Sequence, residues 1–351
     1  MELQKRIEAF AALGDFLRQF STKGISMNEN VPYNQAFFDR FAKEIENAQY
    51  YNGWFTQENV LFSFEQLALN LNKQALDHWV KPYPFQKPAE KTIAVITAGN
   101  IPLVGFHDFL SVLITGHKVL VKQSSADRTF LPLISDYLLA LNPEFKDRIR
   151  FTEDKVSGFD AVIATGSNNT ARYFEYYFEK YPHIIRKNRN SAAVLRGDET
   201  KEELYWLGRD IFQYFGLGCR SVSKLFVPSG YDFNPFFEAI LPYHKLMELK
   251  KYENNYTYNK AVYLMSEFKL LENGFLMLKE DPSYSSPIAS LFYEYYDNLE
   301  ALEKKLSQDA DQLQCVIGKG KEFYVPFGES QCPKLDDYAD GTDTLKFISS
   351  L

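Results

Sequence analysis

The sequence predicts an α/β fold in which a doubly wound parallel sheet follows a helical N-terminal region and precedes a second α/β domain. Three segments carry that prediction. Thr92–Pro102 (TIAVITAGNIP) is a β-branched apolar run ending in Ala-Gly-Asn, with Pro102 placed to open a helix. Lys118–Asp127 (KVLVKQSSAD) is a strand ending on a lysine and two hydroxyls. Asp160–Thr170 (DAVIATGSNNT) is a strand that breaks at Gly166-Ser167 before a helical Ala171–Lys180. Each is a strand-to-loop-to-helix corner, and their repetition puts the strand C-terminal ends around one ligand crevice.

The remaining elements follow in order. Leu3, Ile7, Phe10, Leu13, Leu17 and Phe20 recur at helical spacing, and Asn34–Glu46 and Thr56–Leu71 share the pattern, so the chain is mostly helical to about Val80. Lys81–Pro88 holds three prolines and reads as an extended connector into the sheet. The boundaries expected are 1–196 for the N-terminal helices with the sheet domain, and 197–322 for the second α/β domain. Within the latter, a helix Lys201–Phe215 leads to Cys219. Residues 323–351, poor in helix signals, are expected to pack back across the site.

Composition narrows the function. The 351 residues are 45% hydrophobic with a formal net charge of −7, which disfavours nucleic acid as a partner because phosphate binding draws on a basic surface. No apolar run reaches 18 residues, so no membrane span is expected, and the opening Met1–Arg6 lacks the pattern of a secretory signal. Three cysteines without paired spacing support neither a disulfide scaffold nor a zinc site; no metal is expected, and the cytoplasm is the expected compartment.

Cys219 is the residue on which the chemistry turns. It lies in FGLGCRSVSKLFV, where glycines 216 and 218 allow a tight turn just ahead of a thiol and an alternating strand follows. That arrangement exposes a thiol at a strand-entry corner. The order Gly99-Asn100-Ile101-Pro102, Val121-Lys122, Thr165-Gly166-Ser167, Gly216–Cys219 and Pro326-Phe327-Gly328 resembles the aldehyde dehydrogenase superfamily, and within it the acyl-CoA reductases of the bacterial luminescence (LuxC) type. The resemblance runs from about Thr92 to the C-terminus.

It implies an aldehyde-dehydrogenase-like α/β fold, with a Rossmann-type parallel-sheet cofactor domain beside a catalytic domain. It further implies NADPH-dependent reduction of a long-chain acyl-CoA to the aldehyde, through an acyl group carried on Cys219. The oxyanion donors implied are the Asn100 side-chain amide and the Cys219 backbone N–H. From the residues themselves, Asn100 reads equally as a left-handed turn residue or as a helix cap. Lys122, with Ser124 and Ser125, is implied at the adenosine ribose or its 2′-phosphate, although a surface lysine is the plain reading. Gly166 and Ser167 are implied at the cofactor phosphates, ahead of a helix N-terminus. Phe327 resembles the aromatic beside the nicotinamide, and Pro-Phe-Gly reads also as an ordinary turn.

Two departures from the superfamily pattern bear on the reaction. The stretch Arg186–Ser191 stands where aldehyde-oxidising members carry a Glu-Leu-Gly-Gly-like segment, and it contains no carboxylate to activate hydrolytic water. Ser283 occupies the position of an acid that relatives use on the nicotinamide ribose. Arg186-Lys187-Asn188-Arg189 reads as a solvated loop, or else as a contact for the phosphates of NADPH or coenzyme A. Thiol activation is open among Arg220, His107, His183 and His244. Short or aryl acyl thioesters, non-redox acyl transfer and a homodimer also stay open.

Overall fold

The N-terminal region folds into helices because its apolar residues return every three or four positions. In the computed structural model, which describes residues 1–83, 85 and 90–351, these are α1 (Leu3–Leu17), α2 (Asn34–Tyr51), α3 (Gln57–Asn70) and α4 (Lys73–Val80). A two-residue hairpin, β1 (Phe20–Ser21) with β2 (Gly24–Ile25), follows α1. Their buried aromatics interlock, with the Phe16 ring stacked 4.3 Å from Tyr137 and edge-on to Phe41 at 4.8 Å. Of the three-proline connector, Pro84 and residues 86–88 lie outside the described residues.

A five-stranded parallel sheet follows: β3 (Thr92–Ile96), β4 (Lys118–Lys122), β5 (Ile149–Phe151), β6 (Ala161–Thr165) and β7 (His183–Arg186). The crossovers use α5 (Phe106–Ile114), α6 (Phe130–Leu141) and α7 (Asn168–Phe178). The spatial order is β5-β4-β3-β6-β7, so the chain reverses direction across the sheet between β3 and β6. In open α/β sheets that switch point is where ligands bind, at the strand C-terminal ends. The central strands are buried on both faces, as parallel strands covered by helices must be.

The helix after β3 begins at Phe106, not at Pro102. Residues 101–105 form turns, Leu103 takes a left-handed φ of +58°, and the helix is capped by Gly105. The terminal helix Thr344–Ser349 belongs to this unit, which comprises Met1–Lys187 and Lys334–Leu351. Arg186 ties the C-terminal segment down. Its guanidinium pairs with Asp108 at 2.8 Å, and donates to Thr344 Oγ1 at 2.9 Å and to the Ala339 carbonyl at 2.7 Å. Arg186 is thus a buried structural cation rather than part of a solvated loop or a phosphate contact.

The second unit is Asn188–Pro333. Its sheet consists of β8 (Asn190–Val194), β9 (Val222–Pro228), β10 (Leu270–Glu272), β11 (Met277–Glu280), β12 (Ser290–Tyr296) and β13 (Leu313–Ile317). The order is β10-β11-β12-β9-β8-β13, parallel except where β10 meets β11. The helices are α8 (Lys201–Phe212), α9 (Asn234–Ile240), α10 (Lys250–Met265) and α11 (Leu299–Gln308). Two hydrophobic clusters cover the sheet, one around Leu207, Leu225 and Phe236, the other around Phe226, Leu302 and Leu306. The break falls at 187/188, ahead of the 196/197 read from the sequence, because Asn190–Val194 pairs with β9 and β13.

Candidate active site

In the first unit, the residues singled out from the sequence gather at the C-terminal ends of three adjacent strands. Asn100 follows β3, Lys122, Ser124 and Ser125 follow or end β4, and Gly166 and Ser167 follow β6. The loops are fitted to one another. A Cβ on Gly99 would lie 2.6 Å from Ser124 Oγ, so the β3 and β4 loops touch where a larger residue could not. Gly99→Ala is therefore expected to destabilise the protein by roughly 1–2 kcal/mol through overpacking, read as a lower urea midpoint.

Neither plain reading of Asn100 survives. Its φ is not left-handed, and the helix that follows is capped by Gly105 without a side-chain bond. Asn100 is exposed on a loop that other residues hold. Asp127 Oδ2 accepts the Leu103 N–H at 2.8 Å, and Ser63 Oγ donates to the Pro102 carbonyl at 3.0 Å. Burial pushes the Asp127 carboxyl up to about 6, partly opposed by that backbone hydrogen bond. Sequence reasoning missed Asp127, since an acidic residue after two serines looks like loop surface.

Lys122 is half-buried and donates to the Asp154 carbonyl at 3.1 Å; Ser125 is exposed. Ser167 caps α7 by accepting from the Thr170 N–H at 3.3 Å. A Cβ on Gly166 would sit 3.0 Å from Thr170 and 3.2 Å from Phe174, so any side chain at this corner would press on both. A glycine corner and an adjacent helix N-terminus on the β6 side of the switch point, with Lys122 at the end of β4 next to β3, could hold the phosphates and ribose of a dinucleotide.

In the second unit, α8 opens on a full capping box between Thr200 and Glu203 and ends at Phe212, three residues before the expected Phe215. The reason is conformational. Tyr214 (φ 55°, ψ 25°), Phe215 (φ 57°, ψ 28°) and Gly216 (φ 77°) are three consecutive left-handed residues. For the two aromatics this costs about 1–2 kcal/mol each, sustained because both are buried. The turn delivers Cys219, half-buried, just ahead of β9. Gly216 supplies the left-handed turn; Gly218 is buried with an ordinary φ, and a Cβ there would come within 3.3 Å of Ser221 Oγ.

Cys219 is braced from two sides. Ser191 Oγ, on β8, donates to the Cys219 carbonyl at 2.9 Å and lies 3.1 Å from Cys315 Sγ. From the other side comes the loop 326–331: Arg220 Nε donates to the Ser330 carbonyl at 2.6 Å, and Gln331 Nε2 donates to Ser221 Oγ at 3.2 Å. That loop carries Phe327, which packs on the second unit's core, and Gly328 with φ +84°. Its anchor is Asp210 of α8, fully buried, whose two oxygens accept the N–H groups of Gly328 at 2.6 Å and Ser330 at 2.9 Å. A cavity of about 220 Å³ lies against the Cys219 turn, walled in part by Phe215, Gly218, Ser221 and Ser286.

The histidines are engaged otherwise. His107 is half-buried, its ring 2.8 Å from the Leu335 carbonyl, and desolvation pushes its pKa below the usual range. His183 bonds the Tyr181 carbonyl, and His244 meets the Phe275 ring edge-on. Arg189 turns to the carbonyls of Ala310 and Leu313. Ser283 is exposed, with Asp281 capping its backbone N–H at 2.9 Å. No helix among the described residues is long and apolar enough to cross a membrane, and no cluster of three metal-ligating side chains occurs among them.

A family model described as acyl-CoA reductase (LuxC) matches residues 23–239, more than half of the chain. No curated protein matches it. Among solved structures, aldehyde dehydrogenase 21 from Physcomitrella patens, in complex with succinate, aligns with a TM-score of 0.66 at 12% identity, covering 100% of this chain and 84% of that one. An indole-3-acetaldehyde dehydrogenase of P. syringae, in complex with NAD+ and indole-3-acetate, aligns at 0.61 and 12%, covering 92% and 74%. The Δ-pyrroline-5-carboxylate dehydrogenase of Mycobacterium tuberculosis, bound with NAD, aligns at 0.57 and 13%, covering 91% and 67%. At these identities the likeness shows the fold, which is that of the aldehyde dehydrogenases.

Proposed function

The chain belongs to the acyl-CoA reductase (LuxC) family, and from that premise we propose that it reduces a long-chain acyl-CoA to the aldehyde with NADPH, through an acyl group held on Cys219. The observation that carries this reading is the strained Tyr214-Phe215-Gly216 turn, which sets a half-buried thiol at the entry of β9. The Cys219 thiolate attacks the thioester carbonyl, the C–S bond to coenzyme A breaks, and the departing thiolate takes up a proton. NADPH, when bound, supplies the hydride that brings the acyl group to the aldehyde level. Lys122, Ser124 and Ser125 are assigned to its ribose and 2′-phosphate, Gly166 and Ser167 to its pyrophosphate, and Phe327 to the nicotinamide side. The Asn100 amide and the Cys219 N–H are assigned to the oxyanion. The absence of a carboxylate in Arg186–Ser191 leaves the acyl group without a base for hydrolysis, which favours reduction over oxidation.

We also propose a cytoplasmic homodimer, a contact that would cover apolar side chains such as Val262, Met265, Phe268 and Leu271, exposed on α10, on β10 and between them. One observation favours a second reading, a shorter or aryl acyl group. The cavity at the Cys219 turn, about 220 Å³, is smaller than the roughly 300–1,000 Å³ usual for ligand pockets. The test is NADPH oxidation with a panel of acyl-CoAs from acetyl to palmitoyl, plus benzoyl-CoA, with intact-mass analysis of the protein. Turnover accompanied by an acyl adduct on Cys219 is expected, with kcat/KM rising with chain length. A maximum at short or aryl chains replaces the substrate class, and an adduct without NADPH oxidation replaces reduction by acyl transfer.

A further inference from the structure

We propose that Asp210 is a positioning residue that fixes the Cys219 turn through the loop 326–331. The inference rests on Cys219 being the nucleophile. The contacts form a closed circuit. Helix α8 ends in the left-handed turn that leads to Cys219. The next two residues, Arg220 and Ser221, are held by Ser330 and Gln331. The loop bearing Ser330 and Gln331 returns to α8, where Asp210 takes the N–H groups of Gly328 and Ser330. Trp206, one helical turn earlier on the same face, lies under Gly328, where a Cβ would come within 3.0 Å of its own Cβ. Arg209, between them, reaches Cys332 Sγ at 3.7 Å.

Two arguments make this more than packing. A fully buried carboxylate is expensive, and an apolar residue of similar volume would stabilise α8 at least as well. What the carboxylate adds is two acceptor oxygens for two neighbouring N–H groups, which an amide cannot match: its NH2 would face a second donor. The strained turn needs outside contacts to persist, and the loop supplies two hydrogen bonds at the residues directly after the thiol.

Burial pushes the Asp210 carboxyl up to about 6, opposed by the Gly328 and Ser330 hydrogen bonds. Arg209 faces it on its own helix, Cys332 from the loop, and Tyr243 from the 3-10 segment Leu241–Glu248. As pH falls through that value the protonated acid gives up an acceptor and the clamp loosens. The wild-type acylation rate should then fall more steeply than thiolate loss alone dictates.

The experiment measures single-turnover acylation of Cys219 by intact mass in the full chain, using whichever of acetyl-, octanoyl- and palmitoyl-CoA acylates the wild type. Asp210→Asn is expected to slow acylation about tenfold at neutral pH, to lose the extra steepness below about pH 6, and to keep its melting temperature within a few degrees. A folded variant that acylates at the wild-type rate, or keeps the acid limb, overturns the proposal. If Asp210→Asn does not fold, Gln331→Ala, which cuts the tie to Ser221 and leaves the Asp210 bonds, is expected to show the same tenfold loss; a wild-type rate there also overturns it. Cys219→Ser is run alongside. An acyl adduct and turnover in that variant would show that the nucleophile reading has failed. A dead Cys219→Ser beside a fully active Asp210→Asn removes the positioning role alone.

Discussion

Cys219→Ser is expected to abolish both the acyl adduct and NADPH oxidation, a loss on the order of 10³-fold or more in kcat, while NADPH binding stays within about twofold of wild type. A hydroxyl is a far weaker nucleophile than a thiolate at neutral pH, and His107, His183 and His244 are engaged with the Leu335 carbonyl, the Tyr181 carbonyl and the Phe275 ring. Cofactor binding should survive because Lys122, Ser124, Gly166 and Ser167 belong to the first unit, whereas Cys219 belongs to the second. The other thiols are poor substitutes. Cys315 lies in β13 against Ser191, and burial pushes the Cys332 thiol up despite Arg209 and Arg220. Tryptic mapping of the acylated wild-type protein places the adduct independently of the mutation. Turnover in the serine variant comparable to wild type would overturn the covalent mechanism itself.

The parts of this molecule that could be read from its sequence are those in which one residue's neighbours along the chain decide its conformation. Thr92–Ile96, Lys118–Lys122 and Ala161–Thr165 are β-branched runs closed by glycine or polar breakers, and they form three central strands of the first sheet. Residues whose role depends on distant partners were not legible. Arg186, in a run of basic residues, looks solvated, yet its burial is decided by Asp108, 78 positions earlier, and by Thr344, 158 positions later. Pro102 has the residue type of a helix opener, but the helix waits until Phe106 because Leu103 is turned left-handed and its N–H is held by Asp127.

The same division runs through the site. Cys219 and its glycines announce a tight turn, and Gly216 does adopt it; that the strain extends back over Tyr214 and Phe215, ending α8 early, has no signal in their identities, since aromatics rarely take left-handed angles. Asp127 and Asp210 are the larger omission. Each is a buried carboxylate that holds a site loop by backbone N–H groups, and in each case burial pushes the carboxyl to about 6. A carboxylate in a sequence defaults to surface, and nothing local distinguishes these two.

Asn100→Ala should lower kcat by about 10²-fold, with little change in melting temperature or in KM for the acyl-CoA. The magnitude is that of removing one oxyanion donor, roughly 3 kcal/mol felt in the transition state and absent from the ground state. The structure sharpens the test because it removes the left-handed-turn and helix-cap explanations. Asn100 neither adopts a left-handed φ nor caps α5, so truncation does not release a helix end. Its loop has other anchors: Gly99 lies against Ser124, the Pro102 carbonyl takes the Ser63 hydroxyl, and the Leu103 N–H is held by Asp127. Asn100 is exposed, and surface substitutions usually change stability by less than about 0.5 kcal/mol. The measurement is kcat and KM with the best acyl-CoA of the panel, beside a thermal melt of the same preparation. An unchanged kcat removes Asn100 from the oxyanion site. A fall in melting temperature large enough to explain the lost activity would return it to a structural role. A hundredfold loss in kcat at constant stability leaves differential stabilisation of the oxyanion as the remaining account.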